Sequence, residues 1–117
     1  VSVRDQASSG AAEAVPALRV FPLTERNGLR VAGEVVLPTH LIWERALERA
    51  VREDEAVYFL ELSALTFVDV VGTGALAAAA QQLDDGRRLV LHRPPPALSR
   101  VLDMFWPDLS AIEVSMS

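Results

Sequence analysis

Apolar positions change period several times along the chain, and each change marks an element. Leu18 and Val20, with Phe21 and Leu23, alternate weakly with Arg19, and Leu29-Arg30-Val31-Ala32-Gly33-Glu34-Val35 alternates again after the turn sequence Glu25-Arg26-Asn27-Gly28. Two such runs around a glycine-ended turn predict an antiparallel hairpin. From Pro38 and Thr39 the period lengthens. Ile42, Trp43, Ala46, Leu47, Ala50 and Val51 share one side of a helix that Thr39 is placed to cap, while Glu44, Arg45, Glu48, Arg49 and Arg52 take the other. Glu48 with Arg52, and Arg49 with Glu53, are four apart and can pair at about 0.3 kcal/mol each. This charged face reads as solvation.

After the polar run Arg52-Glu53-Asp54-Glu55, the five apolar residues Ala56 to Leu60, followed by Leu62, predict a strand covered on both faces. Ser63 to Val71 reads as a connection, and Ala75 to Leu83 as a helix with Leu76, Ala79, Ala80 and Leu83 in a narrow apolar stripe. Gly86 stands where a left-handed carboxyl-terminal cap is wanted. Arg88 to His92 is a further short strand. Pro94 to Pro96 then open a last helix, in which Leu98, Val101, Leu102 and Phe105 keep the i, i+3, i+4, i+7 spacing; Pro107 stops it, and Ala111 to Val114 adds an edge strand. The order β-β-α-β-α-β-α-β implies an α/β fold: a mixed, mostly parallel sheet of about five strands with an N-terminal antiparallel hairpin and three or more helices. Residues 1–16 read as a flexible tail and 17–117 as one domain.

Composition removes several classes of function. Half of the 117 residues are hydrophobic, enough for a core without staples, and there is no cysteine, so disulfides, thiolate nucleophiles and cysteine-held metals are out. Sixteen acids against eleven bases give a net charge of −5, which argues against a nucleic-acid backbone as partner. All eleven bases are arginine, a bias that fits genomic base composition. No run of about 20 apolar residues is present, and the first sixteen residues do not read as a secretory signal, so the expectation is a cytoplasmic protein with no membrane insertion.

Catalytic chemistry has little support. His40, beside a helix start, reads as a solvent-facing or capping residue, and His92, at the end of a strand, as surface-exposed or at an interface. Ser63 and Ser99 have no histidine and carboxylate close in sequence, and the acidic runs read as solvated turns rather than metal ligands. Trp43 and Phe105 fall on apolar faces and are expected in the core, whereas Trp106 lies at a helix end. No cofactor or metal site is expected.

The informative stretch is Tyr58 to Leu76, YFLELSALTFVDVVGTGAL. Asp69 is placed to accept hydrogen bonds from the first free amides of the following helix, and Gly72 and Gly74 permit a tight turn and close backbone approach. The glycine spacing is too short for a phosphate loop, the following lysine is missing, and so is the third glycine of a dinucleotide fingerprint. A small-ligand or nucleotide-binding domain is therefore weakly supported, and a rise in melting temperature with ATP or GTP is its test.

Leu60-Glu61-Leu62-Ser63 followed by Phe67-Val68-Asp69-Val70-Val71-Gly72-Thr73-Gly74-Ala75-Leu76 resembles the STAS domain, found in bacterial anti-sigma factor antagonists and in the cytoplasmic part of sulphate transporters. Members of that family read D-L-S and then F-I-D-S-S-G-L-G-x-L, with an upstream G-E-L-D and a downstream glycine. Gly33-Glu34-Val35-Val36 and Gly86 are the matches here, so the likeness spans about Leu18 to Val114. Three polar positions depart from the pattern. Val70 stands where phosphorylation-switched antagonists carry the acceptor serine, Val36 replaces an aspartate, and Glu61 replaces the aspartate of D-L-S. Thr73, further into the helix, reads as local packing or capping rather than a substitute acceptor.

The resemblance implies a non-enzymatic regulatory module that docks a protein partner through Thr66, Asp69, Val70, Val71, Gly72 and Thr73. The implied partner is an anti-sigma factor, a histidine-kinase-like ATP-binding protein, and the lost hydroxyl implies docking without control by phosphate at position 70. An alternative role is an accessory subunit that binds the ATPase of an ABC lipid-transport system.

Overall fold

A computed structural model describes residues 15–116. The expected tail therefore lies, except for Val15 and Pro16, outside the described residues. Strands β1 (Leu18–Pro22) and β2 (Gly28–Val35) form the predicted hairpin, antiparallel with Leu18 opposite Gly33 and Pro22 opposite Leu29. A short 3-10 turn (Leu37–Thr39) leads into α1 (His40–Arg52). Then come β3 (Val57–Glu61), β4 (Leu65–Val68), α2 (Val70–Gln81), β5 (Arg88–His92), α3 (Pro96–Phe105) and β6 (Ile112–Ser115). The sheet runs β1-β2-β3-β5-β6, with β4 paired to β2 beside that path. Apart from the hairpin, these pairings are parallel.

Six strands thus replace the five expected. The extra one, β4, falls within the stretch that reads as a connection, because its four residues follow a buried-exposed-exposed-buried pattern rather than an alternation. The long strand β2 makes it possible. Residues 28–30 of β2 pair with β3, and residues 33–35 pair with β4, with a register irregularity between Gly33 and Glu34. Gly33 has φ +122°, and a Cβ there would meet the Ala17 carbonyl oxygen at 2.1 Å, so a side chain is excluded at this bulge.

One face of the sheet carries the core. Leu29, Val31 and Val35 of β2, Tyr58 and Leu60 of β3, and Leu89 and Leu91 of β5 pack with Trp43 and Leu47 of α1, Leu76 and Ala80 of α2, and Leu98 and Leu102 of α3. Strand alternation puts Arg30, Phe59, Glu61 and His92 on the other face. The expectation that Ala56 to Leu60 is covered on both faces is therefore corrected. Val57 and Phe59 stand half-buried on the open side, and the Arg26 guanidinium lies 4.3 Å from the Phe59 ring centroid. A cation over an aromatic face accounts for an apolar residue on a surface without a helix above it.

Helix details differ from the pattern at defined points. Thr39 does not cap α1. Its buried hydroxyl donates to the Glu34 carbonyl at 2.7 Å and accepts from the Val36 amide at 3.0 Å, fastening the turn to β2 instead. Ile42 and Phe105, expected inside, are exposed: Ile42 sits at the edge of its helix's apolar stripe, and Phe105 is the last residue of its helix. Among the described residues, the Glu48 and Arg49 pairs do not close into salt bridges. Helix α2 begins five residues earlier than expected, so Gly72, Thr73 and Gly74 are helical. Gly86 belongs to the Asp84–Arg87 turn and does not cap α2, which ends at Gln81.

Candidate functional site

The start of α2 is built by three neighbouring elements. Asp69 is extended and lies just before the helix, and its Oδ1 accepts the Gly72 amide at 2.7 Å. The Thr73 amide and hydroxyl both donate to the Asp69 carbonyl, at 2.9 and 3.0 Å. The cap inferred from the sequence is thus present, and it satisfies amides that a helix start leaves unpaired.

From the other side, α1 holds the same turn. His40 Nε2 donates to Asp69, 2.8 Å from Oδ2 and 3.0 Å from Oδ1, and Trp43 Nε1 donates to the Gly72 carbonyl at 2.9 Å. His40 and Trp43 are three apart, so they share a helix face and reach the same two turns of backbone. Trp43 is fully buried, as expected. The reading of His40 as a solvent-facing or capping residue is corrected, since its side chain is mostly buried against Asp69. The signal that points to it is the His-x-x-Trp spacing at the first turn of an amphipathic helix. Close approach of α2 to the sheet depends on Gly72, where a Cβ would meet Val35 Cγ1 at 2.6 Å and Val68 Cγ1 at 3.0 Å.

Of the six residues expected to face a partner, Val70 and Val71 come together at the surface, with the half-buried Asp69 carboxylate beside them. Val70 is 63% exposed and Val71 62%. Gly72 and Thr73 are corrected: both are buried, Thr73 to 1% exposure, so their side of the turn serves packing and hydrogen bonding rather than contact. Thr66 is exposed on β4, and its hydroxyl donates to the Gly33 carbonyl at 3.0 Å, bracing the bulge. Exposed apolar side chains continue on the flanking segments, at Phe67 before Asp69 and at Leu37 and Leu41 around His40. Glu61 and His92 stand elsewhere, paired with one another on the open sheet face. Trp106 is half-buried, and its ring would lie 3.8 Å from a Cβ at Gly74. Among the described residues, no three His, Asp or Glu side chains converge as a metal-ligand group.

This arrangement is a helix start with an apolar surface, whose Asp69 carboxylate is engaged in capping the helix and in accepting from His40.

Known proteins share the architecture. The family model described as "Mlab, STAS domain" matches residues 23–106, from the hairpin turn to the end of α3. An anti-sigma factor antagonist from Mycobacterium paratuberculosis superposes with a TM-score of 0.71 at 20% identity, over 86% of this chain and 87% of that one. The anti-sigma factor antagonist SpoIIAA in its unphosphorylated form gives 0.62 at 16% identity, over 86% and 89%. No curated protein matches in sequence. The overall fold is therefore that of a known architecture, and with a family model matched over residues 23–106 the chain belongs to the STAS domain family.

Proposed function

We propose that the chain is a non-enzymatic regulatory module that docks a protein partner through the start of α2, without phosphate control at position 70. The observation that carries this reading is the exposure of Val70 and Val71 directly after the Asp69 cap. In a family member with serine at that place, a phosphate adds nearly two negative charges to the same surface. Here the side chain is exposed and has no hydroxyl, so the surface stays apolar. The likeness to anti-sigma factor antagonists supports a histidine-kinase-like, ATP-binding anti-sigma protein as the partner. Among the described residues no helix is long and apolar enough to cross a membrane.

A second reading uses the same surface for the ATPase of an ABC lipid-transport system. The missing hydroxyl favours it, because such a role needs no acceptor at Val70.

Capture of tagged protein from its native cell, followed by direct titration of the captured ATP-binding protein, separates the two. A histidine-kinase-like partner supports the first reading, an ABC-type ATPase the second, and neither counts against both. With either partner, Val70→Asp is expected to weaken binding about tenfold or more, since it places an unpaired charge in the interface. Unchanged affinity in a folded variant moves the docking surface elsewhere. Val70→Ser that gains phosphate from the captured kinase shows that only the acceptor is missing.

A further inference from the structure

All three helices pack on one face of the sheet, and a cavity of about 450 Å³ opens on the other. Its floor is one row of residues in register across the strands. Arg30 of β2 pairs with Glu61 of β3, Glu61 with His92 of β5, and His92 with Ser115 of β6. Residues opposite one another on neighbouring strands share a face and stand about 5 Å apart. These four therefore form a single polar line, and all four line the cavity. The hairpin turn makes one wall, from which Arg26 reaches over Phe59.

Charge in this cavity is distributed unevenly. The Glu61 carboxylate accepts the Ser63 amide at 3.0 Å and meets His92 Nδ1, so the carboxylate and the imidazole hold one another in place. Arg26 and Arg30 face the same space, and among the described residues neither has a carboxylate within ion-pair distance. Glu25, on the turn, adds an acceptor at the rim. Two guanidiniums without anions, beside carboxylates that accept hydroxyls, suit a ligand with one anionic end and several donors. The fork of a guanidinium fits carboxylate and phosphate alike. The volume lies within the roughly 300–1,000 Å³ of small-molecule clefts, while a net charge of −5 disfavours a nucleic acid as occupant.

We propose that this cavity binds a small hydroxylated organic oxyanion, a sugar phosphate or a hydroxy acid. Arg26 and Arg30 hold the oxyanion, and Glu61 meets the hydroxyls. The site shares no residue with the start of α2, so it stands or falls independently of partner docking.

The test is an amide chemical-shift titration of the full chain with ribose 5-phosphate, with gluconate, and with ribose as the uncharged control. At least one oxyanion is expected to move the amides of Arg26, Arg30, Phe59 and His92 along a saturating curve, with ribose leaving them in place. Combined Arg26→Met and Arg30→Met should weaken that binding about tenfold or more. Both side chains are exposed, so the core does not depend on them; Arg30→Met alone gives the same reading at smaller amplitude should the double variant fail to fold. No saturating response to either oxyanion up to about 10 mM overturns the proposal. So does an equal response to ribose, or unchanged binding in the folded variants.

Discussion

His40 Nε2 and the Asp69 carboxylate meet at 2.8 Å, joining the first residue of α1 to the cap of α2 although 29 positions separate them in sequence. Asp69 thereby serves two helices at once, accepting the Gly72 amide with the same group. Loss of an N-cap side chain costs about 1–2 kcal/mol, and here it also leaves a mostly buried imidazole without its acceptor. Asp69→Ala is expected to lower stability by at least that amount in urea unfolding. His40→Ala made in the Asp69→Ala background should add little, because the pair acts through one contact. Fully additive losses would show that the two side chains stabilise the helix start separately.

The two glycines of α2 should respond in opposite directions. Gly72→Ala drives a methyl into Val35 and Val68, and overpacking of this kind costs about 1–3 kcal/mol. At Gly74 the nearest atom to a new Cβ is Trp106 Cη2 at 3.8 Å, an ordinary contact, so Gly74→Ala should stabilise by about 0.5–1 kcal/mol through helix propensity. Paired denaturation curves read both signs. Stabilisation by Gly72→Ala would contradict the close approach of α2 to the sheet.

Arg87 ties the end of α1 to the start of β5. Its guanidinium donates to the carbonyls of Ala50 at 3.3 Å, Val51 at 3.1 Å and Glu55 at 3.0 Å, and also to that of Glu53. Bonds from a cation to the last carbonyls of a helix are favoured by the helix dipole as well. Replacement by methionine keeps the stem and removes the donors. A loss of about 2–3 kcal/mol is expected in urea unfolding, with Arg87→Lys recovering less than half of it, because one ammonium does not span four carbonyls.

Acid should weaken the fold through Glu61. Burial raises its carboxyl, but the hydrogen bonds from Ser63 and from His92, together with the histidine's charge, outweigh burial and hold it below the ordinary 4.5. A carboxyl lowered in the folded state contributes stability that is fully present above its unfolded value and is lost as pH falls through the folded one. Melting temperatures of the wild type should therefore drop below about pH 4.5 more steeply than those of Glu61→Gln. Parallel curves for the two proteins would remove Glu61 from the acid response.

Elements with a sustained period were legible from residue order. The hairpin, the buried stripe of α1 and the bounds of β5 follow from alternation or helical spacing, because each depends on how neighbours in sequence divide between core and water. The Asp69 cap was legible for the same reason, its partner amide being three residues away. β4 was not, since four residues without alternation become a strand only where the bulged half of β2 offers them a pairing edge.

What the sequence determined by itself is the α/β class, the family likeness and the absence of a hydroxyl at position 70, all properties of local order and residue identity. Tertiary structure decided that Val70 and Val71 face outward while Gly72 and Thr73 face inward, that His40 belongs to the site, and that Arg30, Glu61, His92 and Ser115 share one row. Those facts depend on helix phase against the sheet and on strand register, which are set by packing between segments far apart in the chain.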